Sequence, residues 1–195
     1  MLIIARHGRT TANALGLLQG RIDNPIDDAG RAQAEAIARA IGSADVIVSS
    51  PLLRCVETAA PLLDVGPAES VEVDNRWIEL DYGAWEAKPI GDVSPATWAQ
   101  WRADADFAPP GGESLNELNA RVGAACDDLV ELATVAVVVV FTHVSPIKAA
   151  MRWALGVDEE ISWRLHVAQA QISRIAIRGG RPAITSFNDT SHLDP

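Results

Sequence analysis

The residues best suited to chemistry come early. Met1-Leu2-Ile3-Ile4-Ala5 runs straight into Arg6-His7-Gly8-Arg9-Thr10. A short apolar strand therefore delivers an arginine, a histidine and a glycine to its C-terminal end, where open α/β sheets place their ligands. The arginine offers a planar fork suited to phosphate, the histidine a nucleophile or proton carrier near neutral pH, and the glycine room for a ligand against the backbone. Two further strand ends carry matching groups. Ser49-Ser50 ends one and is followed by Pro51-Leu52-Leu53-Arg54, which puts Arg54 in the first turn of a helix. The apolar run Val135–Phe141 ends at Thr142-His143. Two arginines and two histidines brought to one edge of a sheet make a pocket for a dianion, and helix N-termini there add aligned N–H groups. Glu79, in the aromatic-rich segment Arg76–Glu86, is a carboxylic acid that can protonate the leaving oxygen of a phosphate monoester.

The elements that must position these groups are legible in the apolar pattern. Strands are expected at Leu2–Ala5, Asp45–Ser49, Val71–Asp74, Val135–Phe141, Ile172–Ile177 and Ala183–Phe187. Val137–Val140 is β-branched without alternation, as suits a central strand buried on both faces. Helices fall between the strands. One is capped at Asp27 or Asp28 and runs to Ile41. Others run from Pro51 to Leu63, from Ser94-Pro95 toward Asp104, from about Glu113 to Ala133, and from Pro146 to Leu155. Strands alternating with helices predict a three-layer α/β/α sandwich around a mostly parallel sheet, with one antiparallel edge strand.

Composition narrows the function class. The chain has 195 residues, 48% of them hydrophobic and 22% charged, which suits one domain spanning 1–195. Its net charge of −10 argues against nucleic acid or an anionic membrane as partner, and requires any phosphate pocket to be a local cationic island. The longest apolar run is too short to span a bilayer. Cys55 and Cys126 lack metal or redox spacing and read as buried thiols of a reducing cytoplasm.

With these residues in view, the chain resembles the histidine phosphatase superfamily, which includes cofactor-dependent phosphoglycerate mutases and many small phosphatases. Arg6-His7-Gly8-Arg9-Thr10 with Asn13 resembles its RHG-x-T-x-x-N signature, and Gln19-Gly20 its QG. Ser49–Arg54 with Thr58-Ala59 resembles SSPLxR…TA. Glu79, Tyr82-Gly83 and Trp85-Glu86 resemble its E-x-x-(F/Y)-G-x-W-E box. Gly111–Ser114 resembles GGES, and Thr142-His143 carries the second histidine. The resemblance implies that His7 attacks phosphorus, with its other ring nitrogen held by the Gly8 backbone. Arg6, Arg54 and His143 would hold the phosphoryl oxygens, with Asn13 beside them. Glu79 would protonate the leaving oxygen and then activate water. No cofactor or metal is called for.

Gly8, Arg9, Gln19, Gly20, Arg21 and Val144 are further candidates for substrate contact. Two departures stand out. His143-Val144-Ser145-Pro146 replaces the His-Gly-Gly often found in the family, as in a subgroup of actinobacterial-type phosphatases. Trp85-Glu86-Ala87 replaces Trp-Glu-Gly. The segment after Glu86 is short and poor in cations, which favours a phosphatase acting on a small phosphorylated metabolite over a mutase. A catalytically silent phospholigand- or protein-binding domain is the reading from another class. The roof between Trp77 and Pro110 is expected to set specificity; Trp98, Trp101 and Trp163 fit a lid and amphipathic packing equally well. The strand Ala183–Phe187 offers an edge on which two chains could pair as a homodimer.

Overall fold

In the computed structural model, which describes residues 1–193, six strands form one sheet in the order β3-β2-β4-β1-β5-β6. The strands are β1 (Leu2–Arg6), β2 (Val46–Ser49), β3 (Val71–Val73), β4 (Val138–Thr142), β5 (Ile172–Arg178) and β6 (Arg181–Asp189). The helices are α1 (Thr11–Ala14), α2 (Asp28–Ile41), α3 (Leu53–Leu63), α4 (Pro95–Ala103), α5 (Leu115–Val135) and α6 (Val144–Leu155). Strands β1 to β4 run parallel, and β5 is antiparallel to both of its neighbours. The antiparallel strand is therefore one place in from the edge. The edge itself is β6, which the tight Gly179-Gly180 turn folds back onto β5.

The period-2 pattern of the strands builds the three layers. Leu2, Ile4, Val138 and Val140 face a core formed with α5, α6 and the Trp77–Leu80 loop. Ile3, Ala5, Val139 and Phe141 face a second core formed with α2 and α3. Each strand residue of β4 is fully buried, as its unbroken β-branched run requires. The run expected from Val135 is shorter in the structure. Val135 is the last residue of α5 and is 86% exposed, because the helix continues two residues past its apolar stripe before the chain turns into the sheet.

Topology then fixes the site. The chain leaving β1 passes to α2 on one face, while the chain leaving the adjacent β4 enters α6 on the other. A crevice opens where neighbouring parallel strands send their connections to opposite faces. Register places Arg6 opposite Thr142, so His7 and His143 are the next residues on adjacent strands, and the His7 N–H donates to Thr142 O at 3.0 Å. No helix among the described residues is long and apolar enough to cross a membrane.

Candidate active site

His7 sits at the floor of the crevice, almost fully buried. Its Nδ1–H donates to Gly8 O at 2.7 Å, as the resemblance implied, so the lone pair lies on Nε2. Burial, then the Arg54 and Arg6 charges, hold its pKa well below the ordinary histidine value. These effects favour the neutral, nucleophilic form of the ring.

His143 lies 5.1 Å away, centroid to centroid. Arg54 Nε donates to its Nδ1 at 3.1 Å, so Nε2 carries the proton and donates to Ser50 Oγ at 2.7 Å. Both ring nitrogens are bonded within the protein, and the ring is fully buried behind His7. The role this geometry displays is to hold Arg54 and flank the nucleophile; contact with a phosphoryl oxygen would need one of these bonds to open. Burial and Arg54 also depress the His143 pKa.

Arg54 is anchored from three sides: Nη1 donates to Ile22 O and Nη2 to Gly20 O, each at 2.7 Å, and Nε to His143. Arg6 Nη1 donates to Val167 O at 2.9 Å, while its buried Nε has no acceptor among the described residues. An unpartnered buried guanidinium N–H is costly unless an anion completes it. Asn13 Oδ1 accepts from the Thr10 backbone N–H and from Gln169 Nε2, leaving its amide N–H₂ for a ligand. Gln19 accepts from Thr10 Oγ1 at 2.9 Å. Arg6, His7, Asn13, Gln19, Gly20, Arg54, Glu79 and Val144 share the walls of one pocket of about 170 Å³.

Glu79 arrives on the loop after β3, and two ties hold that loop. Thr142 Oγ1 donates to Trp77 O at 2.6 Å, and Arg121 of α5 donates to Arg76 O and Glu79 O at 2.6 and 3.2 Å. Glu113 grips Arg121 in return, at 2.7 and 2.9 Å. Glu79 Oε1 accepts from the backbone of Leu80 at 2.8 Å and of Ser145, in the first turn of α6, at 3.2 Å. That pins one oxygen and leaves Oε2 for proton transfer.

Three candidates for substrate contact lie elsewhere. Arg9 Nε pairs with Asp27 at 2.8 Å, and Arg21 reaches Asp81 and Glu113 at 3.2 and 3.4 Å, so neither lines the pocket. Gly8 answers to packing and not to a ligand: a Cβ there would lie 2.5 Å from Gly30 O at the start of α2. Its N–H donates to Thr58 Oγ1. Gly20 does lie at the pocket, with φ +51°, and a Cβ would meet Glu86 Oε1 at 2.0 Å. The helix after His143 begins at Val144, two residues before the expected Pro146, because His143 itself supplies the extended N-cap backbone. Nothing in the local pattern marks Ser50 or Arg121 as supports, since their partners lie 93 and 45 residues away in the chain.

The roof is pinned where residues 16–18 meet 87–90: Leu18 and Ala87 exchange backbone bonds with Lys88 and Leu18 at 2.9 and 2.8 Å. Ala87, at the departure from Trp-Glu-Gly, adopts φ +61°, a left-handed conformation that a Cβ disfavours. Ala87→Gly is expected to raise stability by up to about 1 kcal/mol in denaturant unfolding. An unchanged midpoint would show that the strain is relieved elsewhere.

The two depressed histidines also set a pH response. Above the unfolded-state value near 6.5 both are neutral in either state, and their contribution to stability is complete. As pH falls below it, the unfolded chain takes up protons that the folded one refuses, so stability drops by up to about 1.4 kcal/mol per pH unit for each histidine. Unfolding free energies between pH 7.5 and 5.5 should fall for the wild type and fall less for His7→Gln. Equal slopes would contradict the neutral assignment.

Comparison with known proteins places the chain in a family. A phosphoserine phosphatase of Hydrogenobacter thermophilus is 32% identical over 98% of this chain and 93% of its own length. A bifunctional protein of Mycobacterium tuberculosis is 31% identical over 98% of this chain, which spans about half (54%) of that longer relative. Among solved structures, the phosphoserine phosphatase of Entamoeba histolytica in complex with 3-phosphoglyceric acid superposes with a TM-score of 0.89 at 27% identity, covering 98% of both chains. A mycobacterial glucosyl-3-phosphoglycerate phosphatase complexed with VO3 does so with a TM-score of 0.87 at 28% identity, covering 97% of this chain and 98% of that one. The family model for branch 1 matches residues 2–190, and on that match the chain belongs to the histidine phosphatase superfamily.

Proposed function

We propose that this protein hydrolyses phosphomonoesters of small metabolites through a phosphohistidine at His7. The observation that carries the reading is a neutral His7, its Nε2 free, in one pocket with two guanidinium groups and the Glu79 carboxyl. His7 Nε2 attacks phosphorus in line while the bond from phosphorus to the alcohol oxygen breaks. Glu79 gives its proton to that oxygen. Glu79, now a carboxylate, takes a proton from water, the water oxygen attacks phosphorus, and the P–N bond breaks to release phosphate. Arg6 and Arg54 balance the equatorial charge, which is most of what phosphoryl transfer asks of a protein. The relatives named as phosphatases support this direction. The space beside the pocket weighs against a mutase: its lining includes a single cation, Lys148, where a second phosphate would need several.

The test is a rapid-quench experiment with ³²P-labelled ester and a chelator present. Glu79→Gln should slow release from alkyl esters about 10²-fold and allow an acid-labile phosphoenzyme to accumulate. No label on His7 in either protein, with phosphate still released, would overturn the phosphohistidine. No turnover of any ester would point first to the mutase and then to the silent binding domain.

A further inference from the structure

The phosphate pocket opens into a second chamber of about 270 Å³, and Leu18, Tyr82, Ile90 and Val144 are walls of both. A group esterified to the phosphate therefore has this space directly beside it. The chamber is built from aromatic surface. Trp98 and Trp101 stack at 5.5 Å and 6°, and Trp163 stands edge-on to both at 6.2 and 5.7 Å. Trp101 is buried, while Trp98 and Trp163 are half-buried.

A cavity of about 150 Å³ holds benzene, so this one has room for a ring with substituents. Such a wall gains little from an alcohol covered in hydroxyl groups, whose water would be lost without replacement. It gains from apolar area removed from water and from stacking.

One charge interrupts the apolar lining. Lys148 lies one helical turn beyond Val144 on α6, on the same face, and has no ion-pair partner among the described residues. The Trp101 indole N–H is likewise buried without an acceptor among them. Burial disfavours the Lys148 ammonium, the Glu79 carboxyl of the neighbouring pocket acts on it without an ion pair, and an anion brought within hydrogen-bond reach would complete it.

We propose that this chamber seats the alcohol half of the substrate, and that this half is an apolar, ring-bearing body with one acidic group that pairs with Lys148. The inference rests on the phosphatase reading above and narrows its substrate class. Trp98 and Trp163 are then specificity residues, and Lys148 reads the acid.

Three esters test it: ethyl phosphate, 2-phenylethyl phosphate and 2-(4-carboxyphenyl)ethyl phosphate. Their alcohols are all primary and ionise alike, so the chemistry of the leaving oxygen is held constant and the ratios report binding. From the first to the second, kcat/KM should rise at least roughly tenfold, the worth of burying a ring. The carboxylate should add a further factor of about five. Trp98→Leu and Trp163→Leu should each shrink the first ratio, and Lys148→Met should shrink the second ratio more than the first.

A first ratio near one, or O-phosphoserine turned over faster than 2-phenylethyl phosphate, would overturn the chamber proposal while leaving the phosphatase reading intact. A carboxylate ratio that Lys148→Met does not change would remove Lys148 from it. If neither these esters nor O-phosphoserine nor any other phosphomonoester is hydrolysed, the phosphatase reading itself fails and takes this inference with it.

Discussion

Replacing His7 by alanine should lower phosphate release by about 10⁴-fold or more, the largest effect expected of any single change here. The reason is the absence of a stand-in. His143 is the nearest second imidazole, but Arg54 and Ser50 occupy its two nitrogens. The Cys55 thiol lies 3.4 Å from His143 Nε2, yet burial holds it in the thiol form and it is shut off from the pocket. Water attacking directly would need Glu79 as its base, in competition with the acid role Glu79 has in the same step. The variant should keep its fold, since it loses one hydrogen bond to Gly8 O and some buried volume, a cost of about 1–3 kcal/mol. Initial rates over a range of esters, together with a thermal midpoint, check both halves. A rate within tenfold of the wild type in a folded variant would remove His7 from the chemistry.

Much of this site is legible in the amino-acid sequence because each chemical group follows a strand end. His7 and His143 come directly after apolar runs, and Arg54 sits three residues beyond a proline that starts a turn into a helix. Once β1 and β4 pair in parallel, register alone brings the two histidines together. Local pattern carries that kind of information well. It carries none about which distant groups compete for a charge. Arg9 and Arg21 read as free cations near the signature, and the fold gives both to carboxylates brought alongside from elsewhere in the chain. Gly8 reads as a place for a ligand, whereas the close approach of α2 is what requires it. The Arg121–Glu113 brace on the Glu79 loop is hidden for the same reason: α5 has the pattern of an amphipathic helix, and Arg121 lies off its stripe. Trp98, Trp101 and Trp163 fit helix packing and pocket wall equally well by spacing alone. Only their stacking around an open chamber separates the two.

Arg54 is the position where charge alone should prove insufficient. A guanidinium has five N–H groups, and Gly20 O, Ile22 O and His143 Nδ1 take three of them, fixing its plane and leaving two for the phosphoryl group. Lysine keeps the positive charge but cannot span these anchors and still present a fork. Arg54→Lys should therefore cost about 10²-fold in kcat/KM, and Arg54→Met about 10³-fold, in the range seen when a fixed transition-state donor is removed. The two variants should also differ in pH dependence. The Arg54 charge helps depress the His7 pKa. Without it, His7 becomes protonated at a higher pH, so the acid limb of kcat/KM should move upward in Arg54→Met and less in Arg54→Lys. Loss of packing alone would lower the rate without moving that limb. Rate and limb measured on the same preparations thus separate a guanidinium that binds phosphate and keeps the nucleophile neutral from one that merely fills space. An unmoved acid limb in Arg54→Met would show that burial, and not Arg54, keeps His7 neutral.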